Sequence, residues 1–346
     1  MAVIGIDLGG TKIKGAVFDH EGNKLHQANA LLKGKKGAEV GALITQTIGE
    51  LLQKSNDTTI DGIGICVPGI SDTKTGRVWC PNIPGWESYP LQQEIETFVG
   101  ATLAVASDEN KIAVALDDDS ENDKITANRA TARVAPTNIK IAGDRSCYIL
   151  GETWKGTARG AQNAVFIAVG TGIGMGILAN GQIIDGSAGI SGAIGWMALD
   201  TKFEDDFVQY GCFESNASGN GIARQAQRLL RENAFENSLL KNYPIENITA
   251  HEVFDAWVKN DALAVQVINR AVQFWGMASA NIVSLLNPEI IVWGGGVFGP
   301  GAQLLDRIYE EACRWAQPIS IKQVRFEQSQ LGGDAGLIGA GKLVIV

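Results

Sequence analysis

Three glycine-rich turns and one acidic strand end carry the chemistry this sequence could perform. "DLGGTK" (Asp7–Lys12) stands between two apolar runs. A tight turn at Gly9 and Gly10 exposes backbone N–H groups that hold phosphate oxygens. Thr11 adds a hydroxyl, Lys12 a positive charge, and Asp7 a carboxylate able to hold the waters of a Mg²⁺ ion. Alone, the same stretch is equally an acid and two glycines in a plain β-turn. "GTGIG" repeats the device in the second half, at Gly170, Thr171 and Gly172. A polyphosphate has two ends to hold, so the pair weighs more than either turn. "GGG" (Gly294, Gly295, Gly296) follows the apolar run "PEIIVW". It lets a flat base or ribose lie against the backbone, or it is only a capping loop. Asp108 ends the run "TLAVAS" and opens "ENKIAVAL". An acid so placed can take the hydroxyl proton in phosphoryl transfer, or simply cap the helix.

The elements that must position these groups follow from the pattern of apolar residues. The 42 glycines gather behind short β-branched runs, the mark of buried strands that stop where backbone must approach something closely. "AVIGIDLGG", "KIKGAVFD" and "KLHQANAL" give three successive strands. "AEVGALITQTIGELLQK" has the apolar period of an amphipathic helix, and "DGIGICVPG" that of another strand. In the second half "AVFIAVGTG" and "MGILANGQII" form a strand pair, and helices fill the chain through Arg231 and from Thr249 to Leu286. "PEIIVWGGG" is a strand, "AQLLDRIYEEACRWA" a helix and "IKQVRFEQ" a late strand. Thr249 and Glu252 have the spacing of a capping box. Glycine turns at matching places in two halves imply a duplicated α/β protein with a cleft between its lobes.

Composition narrows the partners. A net charge of −9 argues against nucleic acid, whose binding needs a basic face. Five dispersed cysteines with no CxxC pair suit reduced thiols in the cytoplasm. No segment has the makeup of a signal peptide or the length of a membrane span, so a soluble protein without a membrane partner is expected.

The ordered motifs resemble the ROK family of sugar kinases and repressors, within the actin, Hsp70 and hexokinase superfold. They are "GIDLGGTKIKGAVFD", "GIGICVPGI", "PNIPGW", "SDEN", "GETWKGTARG", "GTGIGMGI", "GCFE", "NPEIIVWGGG" and "GGDAGLIGAG". The resemblance implies a two-lobed, ribonuclease-H-like (actin/hexokinase-type) α/β fold that binds Mg-ATP through the glycine turns, and a homodimer. It implies that Asp108 is the catalytic base and that Asn82, Ser107 and Glu214 hold a sugar. Ser107 stands where the family usually has Asn. Asn82 is otherwise a turn residue bonding its own backbone, and Glu214 an ordinary glutamate in the first turn of a helix. The family's repressors carry a DNA-binding segment ahead of the kinase-like body. This sequence starts at the first phosphate strand, so none is expected.

In two places the sequence departs from that pattern. The family's Glu-x-Gly-His sugar grip is replaced by Ala193 and Trp196, and of its zinc cysteines only Cys212 remains. Tetrahedral zinc needs four ligands, so no zinc site is expected. Trp196 offers an apolar face for a sugar ring or an apolar substituent, or it fills the space of the lost zinc knob. An acceptor other than plain glucose follows from the first alternative. The second departure is a polar stretch, 117–150, expected as a loop between an N-terminal lobe (1–116) and a C-terminal lobe (151–346). A lid or oligomer contact, a neutral insertion and retained non-coding sequence all fit it.

The expected activity is ATP-dependent phosphorylation of a sugar hydroxyl. The rivals are a sensor that keeps the fold without turnover and another ATPase or kinase of the superfold.

Overall fold

The structure is a computed structural model that describes residues 1–55, 58–101, 138–233 and 235–345. The chain forms two compact units, one of residues 1–155 with 333–346 and the other of residues 156–332.

The first unit is built on a five-stranded sheet. Strands β1 (Ala2–Leu8), β2 (Lys12–Asp19) and β3 (Lys24–Leu31) form an antiparallel meander. Helix α1 (Ala38–Lys54) then leads to β4 (Ile60–Val67), parallel to β1. Its Val40, Ile44, Ile48 and Leu51 recur every three to four residues, so one stripe packs into the sheet's core. A short hairpin, β5 (Ile70–Asp72) and β6 (Arg77–Trp79), precedes α2, helical over 91–101. The fifth strand, β7 (Ile139–Gly143), runs parallel to β4, giving the order β3-β2-β1-β4-β7.

β7 and the helix after it, α3 (Asp144–Lys155), correct the expected boundaries. Residues 138–150 were expected inside a polar loop, with 151–155 in the second lobe, yet they form the sheet's edge and its covering helix. The alternation of "IKIAG" is too short to stand out beside the polar residues before it. The structure shows what the segment buries: Ile141 and Ala142 in β7, Cys147 and Ile149 in α3. The C-terminal helix, Ala335–Lys342, packs back on α3 within the first unit. A Cβ on Gly151 would lie 2.5 Å from the Ala335 carbonyl oxygen, and one on Gly339 only 1.7 Å from that of Cys147. Glycine at both positions lets the two backbones touch.

The second unit repeats the plan. β8 (Ala164–Val169), β9 (Ile173–Ala179) and β10 (Gln182–Ile183) form the meander. β11 (Ile290–Gly294) and β12 (Arg325–Gln328) extend it in parallel, in the order β10-β9-β8-β11-β12. Matched position by position, the two sheets bear out the duplication expected from the glycine turns. Between β10 and β11 lie α4 (Asp206–Tyr210), α5 (Cys212–Ala217), α6 (Gly219–Arg231), α7 (Ala250–Val258) and α8 (Ala262–Leu286). The capping box at Thr249 and Glu252 opens α7 as its spacing predicts. α9 (Leu305–Cys313) covers the edge, and Trp275, Trp293 and Phe298 pack together in the core. Among the described residues, no helix is long and apolar enough to cross a membrane.

Candidate active-site elements

In the first unit two carboxylates stand at the carboxyl ends of parallel strands, where ligands of open α/β sheets bind. Asp7, next to last in β1, faces Lys14 across β2 and Cys66 across β4, and Cys66 in turn faces Ala142 of β7. Burial pushes the Asp7 carboxyl above its ordinary value, and the charges of Asp144 and Asp334 push the same way. A hydrogen bond from the Cys66 thiol and the charge of Lys14 pull it down. The Lys14 ammonium itself is committed elsewhere, donating to Asp334 Oδ1 and to the Gly333 carbonyl, both at 2.7 Å.

Asp144 follows β7 directly and opens α3. Its Oδ1 accepts the Arg145 N–H at 2.8 Å, and the Tyr148 hydroxyl lies 3.5 Å from Oδ2. Burial pushes the Asp144 carboxyl up, ahead of the lowering effect of the Arg145 charge. Neighbouring strands lie about 4.8 Å apart, so β1 and β7, flanking β4, bring the two acids to one sheet end within about 10 Å. The residues from which sequence reasoning drew its base and one sugar contact, Asp108 and Ser107, lie outside the described residues.

The lip beside Asp7 is open. Gly9 donates to the Lys12 carbonyl at 2.9 Å and closes the turn. Gly10, Thr11 and Lys12 are exposed, and a Cβ on Gly10 would meet nothing within 4 Å. Asn82 is exposed on the loop after β6, between the buried Cys80 and Ile83. It makes no side-chain bond to its own backbone, so its turn-residue alternative is not what the structure shows.

In the second unit the hairpin Gly170–Gly172 joins β8 to β9 as Gly9–Thr11 joins β1 to β2. The start of α6 fastens it: the Gly219 N–H donates to the Gly170 carbonyl at 2.8 Å and the Asn220 N–H to that of Thr171 at 3.4 Å. The hairpin carbonyls are thereby turned to the helix, leaving the Thr171 and Gly172 amides unpaired among the described residues. Glu214, on α5, accepts the Ile173 N–H at 2.8 Å. Burial pushes its carboxyl up, against the Ile173 hydrogen bond and the Arg224 charge, which lower it. A Cβ on Gly172 would sit 2.5 Å from the same carboxylate and one on Gly195 at 3.0 Å.

Gly195 belongs to the turn Ile194–Trp196, which brings the two substituted family positions beside Glu214. Ala193 is exposed and Trp196 is 57% exposed. More than half of the indole therefore lies in solvent, leaving an apolar face uncovered. The segment after it is held by side chains, with Arg228 to Glu204 at 3.3 Å and Arg270 to Asp200 at 3.6 Å.

The three glycines after β11 divide the work. A Cβ on Gly294 would strike the Phe166 ring, and Gly295 takes φ 88° with the Val169 carbonyl beneath it. Gly296 alone lines a cavity of about 690 Å³. That cavity opens at Gly170 and Thr171, runs along Asn220, Arg224 and Gln227 of α6, and is closed by the start of α7 at Thr249 and His251. Pockets that enclose small ligands span about 300–1,000 Å³. The α6–α7 wall escaped sequence reasoning because its residues are spread from Asn220 to His251 and share no motif. Asp144 had a local signal, a short β-branched run ending in Asp ahead of "GETWKG", but an equal signal at Asp108 hid it.

Comparison with known proteins places the chain as a whole. The sequence model of the ROK family matches residues 3–129 and 130–346. A glucokinase from Halalkalibacterium halodurans is 33% identical, over 99% of this chain and 94% of its own. An N-acetyl-D-glucosamine kinase from Photobacterium profundum is 24% identical over 96% of this chain and 95% of its own. Among solved structures, a ROK family glucokinase from Streptomyces griseus, in complex with glucose and AMPPNP, has a TM-score of 0.67 at 25% identity, over 99% of both chains.

Proposed function

Since this chain belongs to the ROK family, we propose that it is a sugar kinase, transferring the γ-phosphoryl group of ATP to a hydroxyl of a sugar or sugar derivative. The observation that carries the reading is Asp144 at the end of β7, on the same sheet end as Asp7.

Phosphoryl transfer asks a protein for positioning, charge neutralisation and a group to receive the hydroxyl proton. Asp144 is the proton acceptor in this reading, the role the sequence had suggested for Asp108. Desolvation makes its carboxylate a stronger base than one in water, and the Arg145 N–H and Tyr148 hydroxyl hold it in orientation. Asp7 offers hard oxygen donors, and Lys14 is tied to Asp334 and does not neutralise it directly. That donor set fits Mg²⁺ held through water, which supplies charge neutralisation for the phosphates when bound. The hairpins at Gly9–Lys12 and Gly170–Gly172 donate amides to phosphate oxygens. The cavity beside Gly296 takes the adenosine, with Gly294 and Gly295 shaping the turn behind it.

Asn82 and Glu214 hold acceptor hydroxyls in this reading. The Ile173 bond uses one lone pair of Glu214, and a carboxylate has several. The exposed Trp196 face and the small Ala193 favour an acceptor with a bulkier or less polar group than glucose carries there. A homodimer working in the cytoplasm belongs to the same reading, by analogy with the family and from the five free thiols.

The test is product mass after incubation with ATP over hexoses, N-acetylhexosamines, glycosides and polyols. A phosphorylated sugar that disappears with Asp144→Asn supports the reading. Loss with Asp108→Asn and not with Asp144→Asn would transfer the base role back to Asp108. No product from any acceptor would overturn the kinase reading.

A further inference from the structure

Helix α6 carries three arginines, and they are not alike. Arg228 reaches Glu204 at 3.3 Å and Gln225 Oε1 at 2.8 Å, and Arg231 is exposed to water. Arg224 has no carboxylate partner among the described residues and is only partly exposed. Its Nε and Nη2, the edge with which a guanidinium grips two oxygens at once, are buried without a hydrogen bond. The group lies flat over Tyr210, 4.1 Å from the ring centre. Glu214 feels its charge but forms no ion pair with it.

Two buried, unpaired guanidinium donors are costly, since both lose water without gaining a partner. Arg224 is also a wall of the cavity that begins at Gly170 and Thr171. It stands one turn after Asn220 on the same face of α6, and the Asn220 N–H is fastened to the hairpin. Four residues of helix advance about 6 Å, so Arg224 is held at a fixed reach from the hairpin's free amides. Glu246 and His251 are the other ionisable residues lining the cavity, and neither pairs with it.

Resting on the nucleotide reading above, we propose that Arg224 is a binding residue for a phosphate of the nucleotide, and that its guanidinium turns off the Tyr210 face to grip it. Planar guanidinium and phosphate match through two parallel N–H···O bonds. The exchange gives up a cation–π contact and gains charge-assisted bonds for both unpaired donors. Arg224 thus distinguishes a nucleotide from a nucleoside in a cavity whose other walls are mostly apolar or neutral.

The test is titration calorimetry of adenosine, AMP, ADP and ATP with the full chain, as wild type, Arg224→Met and Arg224→Lys. In Arg224→Met the expected loss of ATP affinity is about ten- to a hundredfold, the range carried by charge-assisted bonds, with adenosine within about twofold. The ligand at which wild type and variant first diverge identifies the phosphate. Arg224→Lys keeps charge without the two-pronged edge, so its ATP affinity falls between the others. The ligand-free Arg224→Met protein melts no lower than wild type, because two buried, unpaired donors are gone. Equal losses for adenosine and ATP would overturn the proposal by showing a structural role. So would unchanged ATP binding, or a rise confined to the sugar KM. Wild-type protein that binds none of the four would instead defeat the nucleotide reading itself.

Discussion

The Glu214 carboxylate accepts the backbone N–H of Ile173 at 2.8 Å, joining the acid of α5 to the residue that follows the hairpin Gly170–Gly172. One carboxylate therefore serves both substrates in the proposed reaction. Glu214→Gln keeps an oxygen for Ile173 and loses the charge, so the sugar KM rises while the ATP KM stays near wild type. Glu214→Ala leaves the N–H without its partner and raises both, with a stability loss of about 1–3 kcal/mol. Separate KM values for the two substrates, with thermal melts, check this.

Asp144→Asn is expected to lower kcat by about 10²–10⁴, the usual worth of a general base. The same change raises the Tm at neutral pH. Burial raises the folded-state value of this carboxyl, so the folded chain holds its proton over a window where the unfolded chain has lost it. Wild-type stability falls as pH rises from the ordinary carboxylate value through the raised one. The advantage of the Asn variant is therefore full above that window and vanishes below it. Melts as a function of pH would expose the opposite sign.

The acid limb of kcat/KM follows from the same group. Activity needs the ionised carboxylate, so it falls with decreasing pH at a midpoint above the ordinary aspartate value of 3.8. A midpoint at or below that value would remove Asp144 from the role.

Gly151→Ala probes how the site is carried. The added methyl meets the Ala335 carbonyl at 2.5 Å and forces α3 from the C-terminal helix. Overpacking of this kind costs about 1–3 kcal/mol. Because Asp144 opens α3, kcat falls as well, with KM for ATP less affected. A lowered Tm with full kcat would show that the helix can shift without moving the base.

Trp196→Ala separates specificity from stability. A ring 57% exposed should change stability by no more than about 0.5 kcal/mol. The ranking of acceptors should change, with loss greatest for those bearing an apolar group. A large drop in Tm with an unchanged ranking would make the indole structural.

The glycine hairpins, the first meander, the strand pair of the second half and the duplicated plan were legible in the sequence because each depends on neighbours along the chain. A β-branched run stops at glycines whether or not its partner strand is known, and the capping box at Thr249 needs only four residues. The candidate base was not legible in the same way. "LAVASDENKIAVAL" and "IKIAGDRSCYILGETWK" both offer a short apolar run, an aspartate and a helical continuation. The strand described beside β4 is the second, 139–143, set by a parallel register from Ile63↔Ile139 to Val67↔Gly143 and by glycine contacts with a helix some 190 residues later.

Arg224 makes the same point from the other side. The sequence supplies an arginine in an amphipathic helix, a position usually solvated. Only the packed structure shows that its two donors are buried, stacked on Tyr210 and beside the hairpin. Local chemistry set where the backbone makes its glycine turns. Which acid and which cation stand near those turns was decided by pairing and burial between distant segments, energies that no single stretch of chain contains.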